Sequence, residues 1–130
     1  MKAEDLMVGD RVFLFGDKPV KVDCIGNVEV YLSDEDGIDW RVTYEHIKPI
    51  PLTVEMLEKN GFSGEGYYMG IVGFHTDPIP EVKDGYEVFI WKDMCLEIKH
   101  GFTHLKRYTF YVHELQHALR LCGIDLEIKL

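Results

Sequence analysis

The stretch His113-Glu114-Leu115-Gln116-His117, HELQH, has the residue types and spacing of the zinc-hydrolase pattern. On a helix, residues four apart lie one turn above each other, so His113 and His117 could both reach one ion while Glu114 activated its bound water. Any helix containing these letters satisfies that geometry. A hydrolase also needs a third protein ligand, and only thirteen residues follow His117. The metzincin-type extension would place Gly and His where Arg120 and Gly123 stand, and no second helix bearing a glutamate fits downstream. Asp125 and Glu127 could serve only if the chain reversed at Gly123, and His100 or His104 only from the end of a preceding strand. Arg120, projecting between the directions of the two histidines, would oppose a dication.

The element that must carry the motif is itself readable. At about 100° per residue, Val112, Leu115, Ala118, Leu119 and Cys122 fall on one side of a helix, with His113, Gln116, His117 and Arg120 opposite. The leucine stripe predicts a core-facing surface, and the histidines are then expected on the solvent-facing back of a docking helix. On this reading the chain has no catalytic, cofactor-binding or metal-binding residue.

Two other stretches could suggest chemistry. The glycines of GFSGEGYYMGIVG, from Gly61 to Gly73, resemble a phosphate loop in composition alone. A dinucleotide turn needs a strand before it and a helix after it, a P-loop needs Gly-Lys-Ser/Thr, and Glu65 would repel a phosphate, so a glycine-relieved strand after a turn is the expectation. The acids of Asp34 to Gly37 have the look of a calcium loop, but the sixth position from Asp34 is Asp39 where an EF-hand requires glycine. Gly26-Asn27 and the Asp34 to Gly37 segment read as turns.

The first 48 residues predict short strands, RVFLF, VKVDCI, VEVYLS and IDWRV, separated by Gly, Asn, Asp and Pro. Such a meander is similar in outline to a small SH3-like barrel. Pro49 and Pro51 favour an extended connection, and Thr53 is a suitable N-cap for a linking helix over VEMLEKN, closed by Gly61, with Phe62 folding back on Leu57. YEVFIW and MCLEIK flank Lys92-Asp93 as a hairpin, LKRYTFYV adds a third antiparallel strand, and the closing helix follows. The fold class is therefore α+β: an SH3-like subdomain over 1–50 and, over 51–130, a helix, an antiparallel meander and a C-terminal helix. Each half is too small for a secure core, so one merged unit is expected.

With 130 residues, 14 Lys and Arg against 23 Asp and Glu, and a formal charge of −9, the chain repels phosphate backbones and anionic lipid. No nucleic acid and no membrane are expected as partners. The densest basic stretch, Lys99, His100, His104, Lys106 and Arg107, reads as a solvated turn. Cys24, Cys95 and Cys122 are odd in number and far apart, which fits neither a disulfide framework nor a CxxC site and suggests a reducing cytoplasm. MKAEDLMVGDR carries acids where a secretion signal would need an apolar run, so a soluble, unprocessed chain is expected.

MKAEDLMVGDRV at the start, IKPIPLTVEMLEKNGF in the middle and YTFYVHELQHALRLCGIDLEI at the end resemble a group of small uncharacterised proteins of gut Bacteroidetes and their prophages or mobile elements. The likeness is weakest from Ser63 to Gly85. It implies a kept framework at Tyr111, Val112, Leu115, Leu119 and Gly123, with glutamine and asparagine familiar where Glu114 and His117 stand, and it supplies no catalytic residues. Two function classes follow. The leading one is a noncatalytic accessory protein that binds a protein partner, with Trp40, Tyr67 and Tyr68 as candidate anchors. The other is a minimal zinc-dependent hydrolase using His113, Glu114 and His117.

Overall fold

A computed structural model describes residues 1–60, 62–68, 71–76, 87–91, 94–100, 103–123 and 127–130. It is α+β, with antiparallel strands in two open five-stranded sheets and a helix near the C-terminus. The chain separates into two compact units. Met1–Pro51 and Tyr111–His117 make the first; Leu52–Phe110 and Ala118–Leu130 make the second.

In the first unit, β1 (Arg11–Leu14), β2 (Lys18–Ile25), β3 (Glu29–Asp34), β4 (Asp39–Thr43) and β5 (Ile47–Pro49) pair in the order β4-β3-β2-β1-β5. Side chains alternate along these strands: Val12, Leu14, Val20, Val22, Val30, Leu32 and Ile47 turn inward with Leu6 and form one buried cluster. Register places Val12 opposite Val20, Val22 opposite Leu32 and Leu32 opposite Trp40, so apolar side chains share a face across strands. The edges of this sheet are β4 and β5, which do not pair with each other. A 3-10 turn at Tyr44–His46 joins them. At Gly26, where the β2–β3 connection turns, a Cβ would stand 2.6 Å from the Glu29 carbonyl oxygen, so no side chain fits there.

The Asp34 turn is built by one carboxylate. Asp34 Oδ1 accepts from the backbone N–H groups of Asp36 at 3.0 Å and Ile38 at 2.9 Å, and Oδ2 accepts from Trp40 Nε1 at 3.0 Å. These donors, the Trp40 indole foremost, hold its carboxyl below the usual carboxylate range. The acids that resemble a calcium loop are thus a turn device.

The second unit contains α1 (Val54–Lys59) and the meander β6 (Phe62–Tyr68), β7 (Ile71–Thr76), β8 (Glu87–Trp91), β9 (Cys95–His100) and β10 (Thr103–Tyr108), paired in sequence order. Thr53 caps α1 as expected, accepting from Met56 N at 3.2 Å. Asn60 ends the helix, its side-chain amide holding Lys129 N and O, each at 2.6 Å. The turn at Lys92-Asp93, Gly61 and the side chains of Phe62, Tyr67 and Tyr68 lie outside the described residues. Two expectations are corrected. The glycine-rich stretch supplies two paired strands, since Phe62 opposes Thr76 and Tyr68 opposes Ile71. Of the basic stretch, Lys99 and His100 lie in β9 and His104, Lys106 and Arg107 in β10, so these five residues are strand residues, with Lys99 opposite His104.

Candidate functional site

The closing helix, α2 (Val112–Leu121), carries the motif. Val112, Leu115, Ala118 and Leu119 are buried, as their spacing requires. The polar side departs from expectation. His113 is 7% exposed and Gln116 6%, so neither faces solvent. For Gln116 the cause lies 107 residues away in sequence, in the turn that precedes β1.

That turn, Met7 to Asp10, closes with Asp10 N donating to Met7 O at 3.1 Å, and its third residue, Gly9, has φ +92°, a conformation that favours glycine. Asp10, fully buried, accepts from Met7 N at 2.8 Å through Oδ2. The same oxygen lies 2.7 Å from His117 Nε2. Gln116 completes the contact: Oε1 accepts from Arg11 N at 2.9 Å and Nε2 donates to Gly9 O at 3.1 Å. The side-chain amide thus bonds backbone through both its oxygen and its nitrogen, as a neighbouring strand would. Three consecutive residues, Gly9, Asp10 and Arg11, are therefore held by two from α2. At the start of the helix, Val112 N donates to Ile50 O at 2.9 Å and Tyr111 bridges to Pro51, fixing the entry of the chain.

His113 and His117 do come together, with ring centroids 5.6 Å apart and planes at 79°. A carboxylate only accepts, so His117 Nε2 is the donor toward Asp10 and has no lone pair left for an ion. Asp10 is a carboxylate where the hydrolase reading lacks a third ligand, yet 2.7 Å is a hydrogen-bond separation. Two donors on one tetrahedral zinc would sit roughly 3.3 Å apart, given bonds of about 2.0 Å. Glu114 is half-buried. Among the described residues, no three His, Cys, Asp or Glu side chains are placed to hold a metal ion. Of the third ligands considered from sequence, Glu127 is exposed and His104 lies 2.8 Å from Glu97 Oε1 in the β9–β10 pair. Asp125 and the His100 side chain lie outside the described residues.

His113 has its own consequence. Its ring stacks near Tyr111, centroids 5.9 Å apart, and its buried Nδ1 has no hydrogen-bond partner among the described residues. Burial pushes its pKa below 6.5; Asp10, Glu114 and Asp5 oppose this and His117 reinforces it. Because the folded value lies below the unfolded one, the unfolded chain takes the proton first as pH falls. The stability linked to His113 is thus complete above pH 6.5 and is lost as pH drops through the lowered folded value. Urea midpoints measured from pH 8 to 5 should fall on the acid side, and His113→Leu should flatten that fall. An identical slope in the variant would refute the assignment.

Asp10 and Gln116 are the site residues that sequence reasoning missed. Their local signal is slight: Gly9-Asp10 reads as a turn, and Gln116 as one more polar residue on a helix back. No protein-family model, curated protein or solved structure matches this chain.

Proposed function

We propose that this chain is a noncatalytic protein-binding module of the cytoplasm, an accessory protein of Bacteroidetes prophages or mobile elements, with its first unit shaped as an SH3-like β-meander. The observation that carries the noncatalytic reading is the engagement of the HELQH side chains. His117 commits Nε2 to Asp10, and Gln116 commits its amide to Gly9 and Arg11. A general base or a ligand presents a lone pair to a reacting molecule, and the atoms so bonded have none to present. Support for binding comes from aromatic and aliphatic side chains the first unit leaves in water: Phe15, Val28, Tyr31 and Ile38. The SH3-like reading is supported by the strand order, in which β1 lies between β5 and β2, and by the 3-10 turn between β4 and β5. No helix among the described residues is long and apolar enough to cross a membrane.

Two measurements on tag-free protein test the proposal. After desalting, the chain should hold far less than one zinc per molecule, and chelator should leave its melting temperature unchanged. Affinity capture from host cytoplasm should return one partner protein that co-elutes in fixed ratio on gel filtration. Near-stoichiometric zinc with chelator-sensitive melting would overturn the noncatalytic half, and capture of no fixed-ratio partner would overturn the binding half.

A further inference from the structure

We infer that the protein self-associates through β4, which pairs antiparallel with β4 of a second copy about a two-fold axis at Trp40. This goes beyond the protein-binding reading, which concerns a different chain. β4 and β5 are the edges of their sheet. An open edge invites pairing with another chain, and natural edges are blunted by shortness, proline, a bulge or an inward-pointing charge. β5 is blunted, with three residues that end at Pro49. β4 is not. Asp39–Thr43 has five residues without proline or glycine, and its register with β3 runs from Ser33 opposite Asp39 to Glu29 opposite Thr43 without a shift.

The ladder fixes which backbone groups that edge presents. Opposed residues of an antiparallel pair alternate between those that exchange hydrogen bonds and those that do not. Asp34 N donates to Ile38 O at 3.0 Å, so Leu32–Trp40 and Val30–Val42 are the bonded pairs that follow. The N–H and C=O groups of Asp39, Arg41 and Thr43 therefore point away from β3. Among the described residues, no hydrogen bond reaches them.

Charge selects the occupant. A second copy brings the same strand, and the outward groups of two antiparallel copies meet in registers centred on Asp39, Trp40, Arg41 or Val42. Centring on Asp39 opposes that carboxylate to itself, and centring on Arg41 does the same for the guanidinium. Centring on Val42 sets Arg41 against Thr43. Centring on Trp40 sets Asp39 against Arg41 of the second copy and, by symmetry, Arg41 against its Asp39, so opposite charges meet twice.

The side chains fit that register. Trp40 shares the core face with Leu32, so Asp39 and Arg41 lie on the other face, where both are exposed. Arg41 meets Glu29 through Nε at 3.0 Å, which leaves the terminal N–H groups of its fork to a second carboxylate. On the core face the same register brings Ile38, 53% exposed, against half-buried Val42 of the second copy. Asp39 and Arg41 exchange their backbone hydrogen bonds in each of the two pairs they form.

So short a ladder makes a small interface, and the dimer should be weak, with Kd of about 10 to 500 μM. Sedimentation equilibrium of tag-free protein across that range should show a reversible monomer–dimer equilibrium. Asp39→Arg alone and Arg41→Asp alone should each weaken it about tenfold or more, because each places like charges opposite one another in both pairs. Asp39→Arg reduces the net negative charge, so overall repulsion cannot produce its loss. An equimolar mixture of the two variants should dimerise again, since their edges are mutually complementary. Amide exchange of the parent chain reads the same edge without a substitution: the Asp39 and Arg41 amides should exchange more slowly as protein concentration rises. A monomeric parent, variants that dimerise as the parent does, a mixture that stays monomeric, or exchange at Asp39 and Arg41 independent of concentration would each overturn the inference.

Discussion

Leu115→Ala and Leu119→Ala should each lower the free energy of unfolding by about 2 to 5 kcal/mol, the cost of deleting buried methyl groups and leaving part of the space unfilled. Both side chains are 1% exposed. Neither can be replaced by solvent, and an alanine retains only the Cβ of the packing. The contrast comes from the same helix. Leu121 is 74% exposed, so Leu121→Ala should stay within about 0.5 kcal/mol of the parent. Urea melts followed by far-ultraviolet circular dichroism would measure all three. Leucine variants indistinguishable from Leu121→Ala would mean that α2 carries no core face.

That core face is the part of α2 legible in sequence, because an apolar stripe is a local pattern and its period identifies both element and orientation. The strands β1 to β4 are legible too, since their β-branched and aromatic runs are bounded by Gly, Asn, Asp and Pro. Thr53 is legible for a related reason: a cap acts over three residues, here on Met56 N. What escapes is whatever depends on a distant partner. Nothing near His117 announces Asp10, and a residue such as Gln116 on the polar side of a helix reads as solvated until the turn that covers it is known. The amphipathic pattern thus locates the first buried side of α2 and misassigns the second. The glycine-rich stretch fails differently. Its composition supports a strand, but it does not dictate that Phe62–Tyr68 and Ile71–Thr76 form two strands paired with each other.

The contact between α2 and the turn at Gly9 to Arg11 sets the second large effect. His117→Ala should cost about 2 to 4 kcal/mol, because it leaves Asp10, fully buried, with its Met7 N donor but without the imidazole. A histidine on a solvated helix back would cost near zero. Asp10→Ala should cost a similar amount, since Met7 N and His117 Nε2 both lose the oxygen they donate to. The two losses should not add. Once the carboxylate is gone, removing the imidazole breaks nothing further, so the double variant should be more stable than the sum predicts by about 1 kcal/mol or more. His117→Gln, which keeps an N–H donor on a long side chain, should lose less than His117→Ala. Melts with and without chelator should coincide for every member of the cycle, because the bond is between protein groups. Additive losses would mean that the His117–Asp10 contact contributes nothing to stability, and a loss confined to chelator-free buffer would restore His117 to the role of a metal ligand.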